Sequence, residues 1–198
     1  DPLQTYNKEM KLKSTLVSYV CCDKKNVVEE ATKFNPNTYH VCEGFDQDVD
    51  KPRDVEKKYD VSFIGNIYGT RTELLGKLTH DIKIINNAFG PTHSEEVSKT
   101  SINLNFCTDH GASDRVYKIM AAGGFLLSDD WHGREEYFKD GRDCVIFEDI
   151  DDLEVKIKFY LENHDLREQI AQSGQKAVSK FDRLSWAKKI MELYHEIK

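Results

Sequence analysis

Two short segments carry the residue types needed to handle a diphosphate. Gly65-Asn66-Ile67-Tyr68-Gly69-Thr70-Arg71 joins a β-type run to a helical one. Its glycines let backbone amides approach a ligand closely, and Arg71 presents a fork of donors matched to phosphate oxygens. Thr108-Asp109-His110-Gly111-Ala112-Ser113-Asp114-Arg115 is a second polar segment that leads into a helical run. Ser113 stands where an N-cap belongs, and the partial positive charge of a helix start suits an anion. Taken alone, each segment also reads as a plain strand-to-helix turn, with the arginine in water, Ser113 only capping, and Asp109 and His110 solvated. The phosphate reading requires both to meet at one place. A third segment, Asp129-Asp130-Trp131-His132-Gly133, pairs two carboxylates. A divalent cation needs further oxygen ligands that this segment does not supply. The remaining histidines show no H-E-x-x-H spacing, so no metal is expected.

Positioning these segments falls to alternating β-type and helical runs. Strand character is predicted over 60–65, 82–88, 101–106, 124–128 and 144–147, and helical spacing over 70–78, 92–99, 113–122 and, briefly, 134–138. Strands separated by helices imply an α/β fold with a doubly wound, parallel sheet, whose ligands bind outside the carboxyl ends of the strands. The two arginine segments lie at such ends. Ala121-Ala122-Gly123-Gly124 reads as a sharp turn from helix into strand, with small residues for close packing. Upstream, a strand over 14–22, a helix over 25–34 and a strand over 39–42 make a small β-α-β unit. The stretch 46–58, charged and carrying Pro52, reads as a linker. The expected division is therefore 1–50, a partial β-α-β segment with the start of the linker, and 51–198, a Rossmann-like domain. Three helices close the chain, two of them opened by D-x-x-E capping boxes at Asp151–Glu154 and Asp165–Glu168.

Composition narrows the function classes. With 198 residues, 39% apolar and 11% aromatic, the chain has enough core-forming material for a packed globule. Its 28 basic residues against 35 acidic ones give a net charge of −7, which disfavours a nucleic-acid surface while permitting a local phosphate pocket. No run approaches the length of a membrane-spanning helix, and no apolar stretch follows a basic start as in a leader. Five cysteines without zinc-type pairs read as reduced thiols, and hence a cytoplasmic location. A start at Asp1-Pro2, without methionine, suggests a fragment or a processed piece.

Several motifs together carry a family resemblance. Tyr59-Asp60-Val61-Ser62-Phe63-Ile64-Gly65-Asn66, then Arg71, then Ser113-x-Arg115 leading into Met120-Ala121-Ala122-Gly123-Gly124-Phe125-Leu126-Leu127, and Asp140-Gly141 before Val145, resemble the C-terminal domain of CgeB-type, group 1 glycosyltransferases of GT-B architecture. The similarity spans roughly 59–198, and 14–45 resembles the last β-α-β of the acceptor half, with Glu43-Gly44-Phe45-Asp46 at the crossover. The resemblance implies a donor-binding domain for a nucleotide-diphosphate sugar, with no metal cofactor. It assigns Arg71 and Arg115 to the leaving diphosphate, assisted by Ser113 and the helix amides. Asn66 and Tyr68 would line the base or sugar pocket, and His110 or His132 would meet sugar hydroxyls. Retaining relatives carry two glutamates eight positions apart, where this chain has His110 and Lys118. An ammonium cannot accept hydrogen bonds from two ribose hydroxyls, but it can meet a phosphate or a different base. No general base is named, since an inverting one is expected from an acceptor domain that is either missing or replaced by a homodimer partner.

Two rivals remain. A non-catalytic nucleotide-binding or assembly module would keep the fold without the donor grip. Another doubly wound domain, a receiver or an epimerase, is disfavoured because the first regular strand is followed by neither G-x-G-x-x-G nor an acidic cluster.

Overall fold

The strands of the larger sheet are apolar on both faces, which fits a parallel sheet covered on both sides by helices. In the computed structural model, which describes residues 2–107 and 111–196, this sheet contains β3 (Tyr59–Ile64), β4 (Lys83–Ile85), β5 (Thr100–Asn105), β6 (Leu126–Asp129) and β7 (Val145–Phe147). All neighbours are parallel, in the order β4-β3-β5-β6-β7. Alternation along each strand sorts the core into two layers. Ile64, Leu126 and Ile146 face one side, against Val97 of α4 (Pro91–Lys99) and Val116, Ile119 and Met120 of α5 (Asp114–Ala121). Phe63, Leu127 and Val145 face the other, against Leu153 and Ile157 of α6 (Ile150–Glu162) and Ile170 of α7 (His164–Val178). Leu74 and Leu75 of α3 (Thr70–Lys77) pack at the margin of that second layer. The expected doubly wound parallel sheet is the architecture found.

A separate two-stranded parallel sheet joins β1 (Val20–Cys22) to β2 (Thr38–His40), with α2 (Lys25–Thr32) between them. Its small core is Met10, Cys22, Val27 and Ala31, with Met10 supplied by α1 (Pro2–Thr15). The strand expected over 14–22 is therefore mostly something else. Ser14 is buried near the end of α1, and its carbonyl accepts from Asn35 Nδ2 at 2.9 Å, a long-range contact that outweighs the local β preference. Ion pairs Lys25–Glu136 and His132–Glu29 link α2 to the loop after β6.

Other boundaries move for identifiable reasons. The strand expected over 82–88 shortens to Lys83–Ile85, before Asn87 takes a left-handed φ of 59°. The strand expected from 124 starts at Leu126, after Gly123 turns at φ 72°. Gly124 sits so close to α4 that a Cβ would lie 2.5 Å from Val97 Cγ1. Neither D-x-x-E box forms. Asp149 caps α6 by accepting from the Asp152 amide at 2.9 Å, while Glu154 is drawn to Thr79 and His80. Asn163 occupies the N-cap position of α7 without a side-chain cap bond, which places Asp165 inside the first turn.

The stretch 46–58 contains no helix or strand, yet it is fastened to the last residues of α4. The Lys58 amide donates to the Lys99 carbonyl at 2.7 Å, and the Arg53 amide to Ser98 Oγ at 3.0 Å. Near its start the chain crosses the segment leading into α8 (Arg183–Glu196). There the Phe45 amide donates to the Phe181 carbonyl at 3.2 Å, and the Arg183 amide to the Phe45 carbonyl at 3.0 Å. All five cysteines are free thiols.

Candidate functional site

The strand order decides where a ligand can enter. From β3 the chain moves outward to β4 and then returns past β3 to β5, so the loops after β3 and β5 part in opposite directions. Such a switch point leaves a crevice at the carboxyl ends of the two strands. The segments carrying Arg71 and Arg115 open from those ends. Thr108, Asp109 and His110 lie outside the described residues, so the expectation for His110 has no structural account.

Arg115, the second residue of α5, reaches back over the sheet edge. Its guanidinium lies 4.9 Å from the centre of the Phe63 ring, and Nη1 donates to Asn105 Oδ1 at 2.9 Å. A Cβ on Gly65 would stand 2.6 Å from Arg115 Nη2, and Gly65 has a φ of 147°. Glycine is thus required here both for backbone conformation and for room. Arg71 approaches the same Phe63 ring, at 5.8 Å, and the Tyr68 ring at 4.7 Å. The two arginines therefore converge on one aromatic plate. Their settings differ, however. Arg71 is only 6% exposed and donates to the Phe106 carbonyl at 3.1 Å and the Asn66 carbonyl at 3.5 Å, which ties the loop after β3 to the end of β5. Burial, then the nearby Arg71 charge, holds Arg115 below the usual arginine range. Two guanidinium groups this close favour an anion between or beside them.

Asn105 organises the rim. It is fully buried near the end of β5, where Oδ1 accepts from Arg115 and, at 3.4 Å, from Ser113 Oγ, while Nδ2 donates to Ser128 Oγ at 2.9 Å. Ser113 holds the N-cap position of α5 but makes no side-chain cap bond, because its hydroxyl is turned to Asn105. Asn105 was not among the expected site residues. Its sequence signal is an amide inside the apolar run Ile102-Asn103-Leu104-Asn105-Phe106, where both strand faces are covered.

Two cavities open beside Arg115. The first, of about 150 Å3, is lined by Gly65, Asn66, Asn87, His93, Arg115 and Lys118, among others. His93, in the first turn of α4, is 7% exposed, and its Nδ1 is buried without a hydrogen-bond partner among the described residues. Burial, with Lys118 and Arg115 nearby, pushes its pKa down to about 4, so the ring is neutral at ordinary pH. The second cavity, of about 610 Å3, is lined by Glu43, Gly44, Asp114, Lys118, Arg183 and Trp186, with Ala187. The Asp114–Lys118 ion pair, one turn apart on α5, forms a wall common to both. Burial and the neighbouring Asp23 and Asp114 charges push the Glu43 carboxyl up to about 7, against Lys118 and Lys24. His93 had no local signal, and Glu43 was marked only as part of the crossover segment, because the surroundings of each are set by distant neighbours.

The remaining expected residues separate. Asn66 joins the first cavity, and Tyr68 is exposed with its ring against Arg71. His132 lines neither cavity and instead pairs with Glu29 at 3.3 Å. Asp129 accepts from the Cys107 amide at 2.7 Å, and Asp130 holds Arg134 at 2.6 Å, so this carboxylate pair serves the loop itself.

Comparison with known proteins gives the same architecture. A family model described as glycosyl transferase-like matches residues 53–193. No curated protein matches the chain. Among solved structures, HepE of Anabaena in complex with UDP-glucose superimposes with a TM-score of 0.77 at 13% identity, covering 99% of this chain and 70% of that one. A glycosyltransferase from Rickettsia africae gives a TM-score of 0.72 at 14% identity, covering 100% of this chain and 67% of that one. Sucrose-phosphate synthase from Thermosynechococcus elongatus gives 0.70 at 10% identity, covering 96% and 61%. At these identities the likeness is one of fold.

Proposed function

The chain belongs to the glycosyl transferase-like family, and on that premise we propose that it is a CgeB-type donor-binding unit that takes a nucleotide-diphosphate sugar and passes its glycosyl group to an acceptor. The observation that carries this reading is the convergence of Arg71 and Arg115 on Phe63, beside Gly65 and at the switch point of the sheet. HepE, a protein of similar fold, is solved with UDP-glucose, which supports a donor of that chemical class.

Arg115 is the group that meets the diphosphate. Negative charge grows on the leaving diphosphate as the glycosidic bond breaks, and a donor fixed in advance by Asn105 and Phe63 stabilises it without reorganising. Arg71 acts as a positioning residue, because its donors already engage the Phe106 and Asn66 carbonyls. The first cavity, walled by Asn66, Asn87, His93 and Lys118, takes the nucleotide, with Lys118 paired to Asp114 at its margin. Ser113 supports Asn105, and Tyr68 covers Arg71. In this reading 51–198 is the donor unit and 1–50 the acceptor-side unit. The five free thiols support a reducing, cytoplasm-like compartment.

Calorimetry with UDP, GDP and ADP tests the reading. Arg115→Ala is expected to weaken nucleotide-diphosphate binding by about 1.5–3 kcal/mol, the range for a hydrogen bond to a charged group. An unchanged dissociation constant removes Arg115 from the site, and a wild-type chain that binds none of the three removes the donor assignment.

A further inference from the structure

At the end of the sheet opposite Arg115, the strand starts frame a cavity of about 180 Å3 whose lining includes Lys57, Ser101, Phe125, Arg167, Glu168 and Gln172. Ser101 is the second residue of β5 and Asn105 the last, so a rise of about 3.3 Å per residue keeps this cavity well apart from the diphosphate site. Arg167, on α7, is only 7% exposed and has no ion pair among the described residues. Its Nη1 donates to the Tyr160 carbonyl at 2.7 Å, one contact for a group with five N–H donors. Nε and Nη2 have no partner among the described residues, yet neither is sealed from solvent. They open onto the cavity that Arg167 lines.

A buried guanidinium ordinarily faces a carboxylate, because an unpaired charge is costly away from water. Burial holds Arg167 below the usual arginine range, against the pull of Glu168 and Asp60. Glu168 lines the cavity, but its carboxylate pairs with His164 at 3.4 Å. A second cation shares the space. Lys57 Nζ donates to the Thr100 carbonyl at 2.7 Å, which leaves it two further N–H groups. Burial of that ammonium, then the Arg167 charge, lowers its proton affinity. Two positive groups thus act on each other, and neither is ion-paired among the described residues.

We propose that this cavity is a second anion site, which binds a phosphate or phosphomonoester group between Lys57 and Arg167. A phosphate dianion matches the two cations in charge, and its oxygens can take the guanidinium fork and the ammonium together. The Ser101 hydroxyl and the Gln172 amide add neutral donors to the lining. The volume admits several water-sized groups, as a tetrahedral oxyanion requires. Bound there, the anion ties α7 to the starts of β3 and β5 and stabilises the folded chain by mass action.

The test titrates the protein with inorganic phosphate and with glucose 6-phosphate at constant ionic strength, by calorimetry and by amide shifts in NMR. At least one probe is expected to bind saturably, to shift the Ser101, Arg167 and Gln172 amides, and to bind Arg115→Ala equally well. Lys57→Gln is expected to weaken that binding at least about tenfold. Arg167→Lys, which keeps the charge but not the fork, should weaken it less than Arg167→Gln. If the loss of the Tyr160 contact prevents Arg167→Gln from folding, Lys57→Gln alone decides. Tighter binding of glucose 6-phosphate than of phosphate assigns the site to phosphomonoesters, and the reverse assigns it to the free anion. No binding of either probe, wild-type affinity in Lys57→Gln, or shifts confined to residues around Arg115 overturns the proposal. Because Arg115→Ala removes the diphosphate contact and not this one, failure here is distinguishable from failure of the donor reading.

Discussion

His93 and the two arginines show how one side chain acquires its properties from distant parts of the chain. Loop chemistry made Arg71 and Arg115 legible in the sequence, since glycines beside an arginine, at a strand end, are what an anion site uses. Their unequal settings were not legible, because the burial of Arg71 depends on the Phe106 carbonyl, thirty-five positions away. His93 gives a pH test. Its pKa falls from the usual 6.5 to about 4 in the folded chain. As pH drops through that window the unfolded chain takes up a proton that the folded chain refuses, so stability decreases, whereas above 6.5 the contribution is intact. Urea unfolding at about pH 4 and about pH 7 should show a smaller acid loss for His93→Gln than for wild type. Equal acid losses would mean that His93 is not the neutral buried ring described.

Helices and strands were easier to locate than to delimit. Short β-type runs separated by helical spacing sufficed to find each strand of the larger sheet, since both faces bury side chains. Ends were less legible, as α6 illustrates. Spacing pointed to Asp151 as the cap, with Glu154 completing a box. Because Thr79 and His80 take Glu154 across the molecule, the capping box fails and Asp149 becomes the cap. Asp149→Ala should therefore cost about 1 kcal/mol, the usual loss of a side-chain N-cap, and Asp151→Ala much less. Chemical denaturation of both variants reads the difference, and equal losses would return the cap to Asp151.

Between the two sheets, the chain crosses itself where the 44–46 backbone meets 181–183. A Cβ on Gly44 would lie 2.1 Å from the Phe181 carbonyl oxygen, so only glycine lets the crossing close. Around it Tyr117, Tyr137, Phe138 and Phe181 stack, with Tyr117 and Tyr137 each 5.3 Å from Phe181. Gly44→Ala must push the backbone apart, with an expected loss of about 1–3 kcal/mol, as for other overpacked sites. In a domain of this size that lowers Tm by about 2–4 °C per kcal/mol. Differential scanning calorimetry checks it, and an unchanged Tm would show that the crossing does not bear on stability. Gly44 also lines the second cavity, so this crossing forms part of its wall.

By itself the sequence determined the α/β alternation, the two-sided core and the two arginine segments, because each is written in local spacing and residue type. Only the tertiary structure decided which ends meet. Strand order is set by packing between remote segments, and it put β3 beside β5 with Arg115 folded back onto Phe63. It also decided that His132 turns away to Glu29 and that Glu43 lines a cavity together with Lys118. Proximity and burial belong to three dimensions, and a residue's neighbours along the chain carry little record of either.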